Sequence, residues 1–320
     1  MKHGIRLDLE FLAIVIGAGV LAYFVSGDLV SNALFTGLLS ILFFLMGLHL
    51  DIDKLKRCGQ HRREVLLGLA AIYLLAPALA FLVYTAVGGA LGDAFIAIGV
   101  SAAAIGSPVV FSNLSKGEGD LALIVSGTSL LAGFVVIPVL LLGFPASLPF
   151  RAVAVKNLAF LFLPLAAGLF SQRFENVLME DMKHHFSKVG LWLLVMVMAV
   201  QFRLVYAWRG AAMLQAAGFA IVLMAGFTTA CFTVAYYASR YAGSMEPQAR
   251  ALGFVSSSKS LAVSLFVASQ ISGGAVAYVG LYYFVRQAVT GSIMEYFRHG
   301  EPKTVKKSFE GLLDLMPGRQ

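Results

Sequence analysis

Ser256-Ser257-Ser258-Lys259-Ser260 interrupts an otherwise apolar run at residues 250–270. A second apolar run, 94–114, is interrupted by Gly106-Ser107-Pro108 and carries Ser112, Asn113 and Ser115 just beyond. Small and polar residues inside an apolar helix have two readings. They let helices pack closely, with the proline as a kink, or they break the helix where protein or a water-filled cavity satisfies the backbone. The order of the runs favours the second reading. Apolar runs fall near 9–26, 31–50, 64–87, 94–114, 120–143, 152–171, 188–207, 210–238, 250–270 and 275–296. Divided into two sets of five, the interrupted runs are fourth in each set. A matched pair of interrupted spans marks the site in transporters built from inverted repeats.

Composition agrees with ten spans. Hydrophobic side chains make up 59% of the 320 residues and charged ones 13%, whereas a soluble domain carries about 25% charged residues. So little charge cannot cover a water-soluble surface, which excludes a soluble enzyme, a disordered chain and a disulfide-stapled secreted domain. The runs are too long for the strands of an outer-membrane barrel, which take about 10 residues each. The expected fold is an all-α polytopic membrane protein of ten transmembrane helices, two inverted five-helix repeats with broken, crossing helices 4 and 9. The first repeat takes residues 1–150 and the second 151–297, leaving 298–320 as a cytoplasmic amphipathic tail with Phe309, Leu312 and Leu313 beside basic residues. The run at 9–26 lacks a small-residue cleavage site and reads as a retained helix.

Loop charge sets the orientation. With the N-terminus in the cytoplasm, 18 Lys and Arg residues fall inside and only Arg151, Lys156, Arg203 and Arg209 outside. Lys and Arg concentrate on the cytoplasmic side, so both termini are expected inside a multi-pass cell-membrane protein, at the inner membrane if the source is bacterial. The net charge of +7 reflects this asymmetry, and no basic stripe suggests nucleic acid as a partner.

The two remaining cations lie deep. Lys259 is nine residues past Arg250, about 13 Å along a helix at about 1.5 Å per residue. Arg286 lies at similar depth in the last span, beside Gln287. Central charges are costly and mark function. All 17 acidic residues fall in loops or at helix ends, so no carboxylate is placed to neutralise either cation. Either an anion supplies the charge, or the lysine gives up its proton part of the time. Arginine keeps its proton, and its plainer reading is a pairing with backbone carbonyls that holds helices together. An anionic substrate near the two cations, with Ser107, Ser112, Asn113, Ser256, Ser257 and Ser258 offering hydrogen bonds around Pro108, is the economical reading.

Several stretches resemble the bile acid:sodium symporter family. Phe43-Phe44-Leu45-Met46-Gly47-Leu48-His49-Leu50, Pro77, Leu163-Pro164 with Gly168, and Thr290-Gly291-Ser292 are similar to it. The most specific similarity runs from Gly106-Ser107-Pro108-Val109-Val110 through Leu114-Ser115-Lys116-Gly117 to Asp120-Leu121-Ala122-Leu123, with Leu261-Ala262-Val263 matching the end of a second motif. The resemblance implies a panel domain and a core domain, each built from both repeats, and organic anions carried with sodium. The departures fall where that family would bind sodium. Pro108 stands in place of an asparagine, Val255-Ser256-Ser257-Ser258-Lys259 lacks the motif glutamate and glutamine, and a family glutamine falls on Ile72. Ser126, Thr128 and Ser129 remain as possible oxygen ligands for a cation.

The expected function is therefore secondary transport of a small organic anion by alternating access. It is expected to be independent of sodium, with Lys259 replacing the sodium charge and a proton as a possible coupling ion. A sodium-coupled, bile acid-like symporter is the alternative within this class, and an anion channel or a non-transporting membrane sensor the alternative outside it. Membrane lipid is an expected partner. No enzymatic activity, cofactor or metal centre is expected, because no central carboxylate pair, metal-ligand spacing or Ser/His pairing occurs.

Overall fold

From Arg62 to Val87 the chain is 26 residues of nearly continuous apolar helix, which at about 1.5 Å per residue exceeds the roughly 30 Å hydrocarbon core of a bilayer. The computed structural model describes residues 32–50, 57–142, 162–172 and 210–299, with single positions 55, 160 and 196. The expected first span (9–26), residues 152–159 and 161 of the sixth, the seventh (188–207) apart from residue 196, and the tail beyond residue 299 lie outside the described residues. Every described element is helical apart from one isolated bridge.

The helices are α1 (Asn32–His49), α2 (Arg62–Val87), α3 (Gly89–Val100), α4 (Gly106–Leu114), α5 (Gly119–Leu142), α6 (Leu163–Ser171), α7 (Gly210–Tyr241), α8 (Glu246–Ser257), α9 (Leu261–Ile271) and α10 (Gly273–His299). Three stretches among the described residues are long and apolar enough to cross a membrane: α2, Gly119–Leu141 of α5 and Ala217–Tyr241 of α7. Their outer faces are apolar too, with Leu74, Val135 and Val222 about 70% exposed. Such side chains suit lipid tails, which are as apolar as leucine.

α2 is not uniform. Ala71–Leu75 forms one π turn, an insertion that recurs at functional sites, and Pro77 follows it in the first turn of resumed α-helix. α2 then reverses into α3 through Gly88 and Gly89, whose φ of +63° and +57° suit glycine because a Cβ would strain the left-handed backbone. α1 and α6 meet backbone to backbone. A Cβ on Gly47 would stand 2.3 Å from the Leu165 carbonyl oxygen, and one on Gly168 2.2 Å from that of Phe44. Gln172 closes this pair, its Nε2 donating to the Gly47 and Leu50 carbonyls at 2.6 and 2.9 Å.

The main core gathers Ile72, Ala76, Phe95, Ile98, Val125, Leu130, Phe227, Val263 and Phe266 from α2, α3, α5, α7 and α9. A smaller aromatic core of Phe111, Phe232, Tyr236, Phe254 and Phe297 joins α4, α7, α8 and α10. Arg250 braces it. The guanidinium lies 4.7 Å over the Phe297 ring, donates to the Ser115 carbonyl at 2.6 Å and pairs with Glu246 one turn earlier.

Two gaps in the helices meet at the centre of these elements. α3 ends at Val100 and α4 begins at Gly106; α8 ends at Ser257 and α9 begins at Leu261. Ala103 and Lys259 form an antiparallel bridge between the gaps. Ala104 N–H donates to Ser258 O at 2.7 Å and Ser260 N–H to Ala102 O at 2.8 Å. Buried main-chain groups demand partners, and each gap supplies those of the other. The first gap differs from expectation. Residues 101–105 are non-helical, whereas Gly106-Ser107-Pro108 opens α4. A proline is tolerated in the first helical turn, where its missing N–H would have no partner anyway.

Candidate functional site

Lys259 lies on the bridge and is 1% exposed. Its Nζ donates to the main-chain carbonyls of Ile72 at 2.8 Å, Ser101 at 3.2 Å and Gly99 at 3.4 Å. Three oxygens match the three N–H bonds of an ammonium. Two of them lie at the C-terminal end of α3, where the helix dipole favours a cation. The Gly99 carbonyl is available because its ordinary helical donor, Ala103 N–H, points instead to Ser129 Oγ at 3.2 Å. Ser101 is fixed in turn by Ser264, whose Oγ donates to Ser101 Oγ at 2.8 Å. Among the described residues no carboxylate forms an ion pair with Lys259 or Arg286.

Arg286 projects from α10 and is also 1% exposed. Its Nη1 donates to Ser107 Oγ at 3.0 Å, its Nη2 to Gln287 Oε1 at 3.3 Å, and its guanidinium lies 4.8 Å over the Tyr283 ring. Its Nε is buried with no hydrogen-bond partner among the described residues. Ser107 belongs to the first turn of α4, a helix start without a side-chain cap, and the space beside Gly106 is open. A guanidinium and the positive end of a helix dipole therefore converge on one place. One turn earlier on α10, Tyr282 OH donates to the Ser257 carbonyl at 3.2 Å, so α10 holds both the end of α8 and the start of α4.

The serines divide. Ser256 Oγ contacts the Cys231 and Gly253 carbonyls at 2.8 and 2.9 Å, joining α8 to α7, and Ser257 Oγ turns back to Phe254 O at 3.2 Å. Ser258 Oγ is buried, with no hydrogen-bond partner among the described residues. Pro108 is buried in α4. Ser112 and Asn113 sit at the opposite end of that helix from Arg286. Ser112 is buried and its Oγ has no partner among the described residues, whereas Asn113 is exposed and packs on Gly119. Of the possible cation ligands, Ser129 reaches the gap through Ala103 N–H, Ser126 Oγ is buried with no partner among the described residues, and Thr128 Oγ1 donates to Ile124 O at 2.7 Å.

A family model places the chain. The SBF-like CPA transporter family matches residues 10–297. The chain belongs to that family. The match spans both gaps and both buried cations, and it agrees with the resemblance to bile acid:sodium symporters read from the sequence. Membership in the SBF-like CPA transporter family makes this a membrane transporter, in keeping with its apolar helices. No curated protein matches it. Sequence reading named Lys259 and Arg286 but not the carbonyls of Ile72, Gly99 and Ser101, since main-chain ligands leave no residue-type signal. Tyr282 and Tyr283 were missed as well. Their spacing before Arg286, one turn and three residues on the same helix, is the cue that would have found them.

Proposed function

We propose that the protein is a secondary transporter of a small organic anion, working by alternating access around the crossing of its fourth and ninth spans, without sodium. In this reading the chain forms two inverted five-helix repeats, 1–150 and 151–297, followed by a cytoplasmic tail, in a multi-pass arrangement in the cell membrane with both termini in the cytoplasm. The observation that carries the anion is Arg286 against the uncapped start of α4. Two positive features share one place, a guanidinium N–H there is buried without a partner, and no carboxylate neutralises them among the described residues. A substrate carboxylate accepts such bonds and removes the repulsion.

Lys259 has a different task. Its ammonium occupies a seat of carbonyl oxygens of the kind a hard monovalent cation takes, and it replaces sodium as a charge carried by the chain itself. Ser107 and Gln287 position Arg286, Ser256, Ser257 and Ser258 shape the crossing, and Pro108 starts the helix that faces the anion. The test is a thermal-shift screen of anionic metabolites on the purified protein, with sodium or choline as the cation and at two pH values, followed by uptake of any hit into liposomes. Stabilisation and uptake that persist in choline support the reading. Uptake that requires sodium overturns its sodium-free half, and conductance far above transporter turnover favours a channel. A proton as coupling ion requires pH-dependent uptake that Lys259→Gln abolishes.

A further inference from the structure

The carbonyl that holds Lys259 most closely, Ile72 O at 2.8 Å, sits inside a helix, where carbonyls are ordinarily consumed. In an α-helix its donor would be the N–H of Ala76. That N–H donates instead to Ala71 O, five residues back, as the π turn requires. In the π register the donor to Ile72 O would be residue 77, which is proline and has no N–H. Both possible helical partners are thus removed by two adjacent features, and the ammonium takes the oxygen from 187 residues away in sequence. The geometry points to Pro77 as the positioning residue of the cation seat: together with the π turn it frees the Ile72 carbonyl for the Lys259 ammonium.

Kinking is the commoner work of a helix proline, but a kink does not specify which carbonyl is released or what receives it. Here the released oxygen faces a buried cation with no carboxylate partner among the described residues. The α3 end carrying the other two oxygens packs directly on this turn, since a Cβ on Gly99 would lie 3.1 Å from Ala76 O and 3.4 Å from Pro77 Cα. The assignment concerns the seat of the cation and holds whether or not the substrate is an anion.

Four proteins decide it: the full chain, Pro77→Ala, Lys259→Met and the double variant, each purified in detergent and unfolded thermally without substrate. An N–H at position 77 lets the turn close on Ile72 O, by its own bond in the π register or by return to the α register, where Ala76 N–H reaches Ile72 O. With Lys259 present this competes with the ammonium, and Pro77→Ala lowers the unfolding temperature. In the Lys259→Met background the same change satisfies a carbonyl that has lost its partner, and it raises the unfolding temperature. A proline that only kinks the helix gives equal shifts in both backgrounds, and equal shifts overturn the assignment. If Pro77→Ala alone yields no folded protein, recovery of folding in the double variant supports the assignment. A double variant that fails while Lys259→Met folds overturns it.

Discussion

Gly99 lies so close to Ala80 that a methyl group on its Cα would stand 2.3 Å from the Ala80 Cβ. This contact sets the end of α3 against α2 and so brings the Gly99 and Ile72 carbonyls to one ammonium. Gly99→Ala forces the helices apart and is expected to cost about 1–3 kcal/mol or more, the range for overpacking a core. The measurement is thermal unfolding of the variant beside Gly99→Ala/Ala80→Gly, which relieves that contact. No recovery in the double variant means that the Ala80 contact is not what fixes the spacing.

Removing the ammonium strands its acceptors. Lys259→Met keeps much of the volume but leaves three buried carbonyls without their donor. A buried polar group left unsatisfied costs about 1–3 kcal/mol. The expected outcome is a clear loss of stability in chemical or thermal unfolding, larger than for Ser256→Ala, which removes a single hydroxyl. Wild-type stability in Lys259→Met would show that the three carbonyls find other partners.

Arg286 is expected to separate from Lys259 in ligand binding. Arg286→Lys keeps a positive charge but loses the planar fork that spans Ser107 and Gln287 over Tyr283. A hydrogen bond to a charged group contributes about 1.5–3 kcal/mol, so binding of an anion identified by the thermal-shift screen weakens about tenfold or more. Calorimetry with that anion reads the change directly. Unchanged affinity in Arg286→Lys would remove the guanidinium from the substrate site.

The α1–α6 contact makes a separate prediction, away from the crossing. A Cβ at residue 168 would lie 2.2 Å from Phe44 O, and that atom is backbone, which cannot rotate aside. Gly168→Ala therefore separates the two helices and weakens the bonds from Gln172 to the Gly47 and Leu50 carbonyls. The expected loss is about 1–3 kcal/mol, seen as a lower unfolding temperature and as faster proteolysis near residue 50. A variant as stable as the parent would show that α1 and α6 tolerate a wider separation.

What the sequence made legible follows from which groups do the work. Lys259 and Arg286 stood out because a charge inside an apolar run is costly wherever it points. The serines beside Lys259 coincide with the second gap, where 258–260 is non-helical. The first gap was displaced by several residues. Alanine has the highest helix propensity of any residue type, yet Ala102, Ala103 and Ala104 are non-helical, with Ala102 and Ala104 bonded across to Ser260 and Ser258. Tertiary pairing overrode a local preference, and the more visible Gly106-Ser107-Pro108 belongs to the next helix. Asn113, attractive as a polar side chain beyond a break, faces outward at the end of α4. The seat of Lys259 was illegible for a different reason: its oxygens are main chain, and only Pro77 leaves a trace of one of them in the residue types.

The pairing of Ala103 with Lys259 has a consequence for descent. Both hydrogen bonds of the bridge run from backbone to backbone, so the meeting of the two gaps does not depend on which side chains stand there, provided none is a proline at a donor position. Residues at the crossing can then be exchanged during evolution while its architecture is inherited unchanged. In the proposed reading, a lineage that exchanges a bound ion for a lysine keeps the backbone bonds of this bridge.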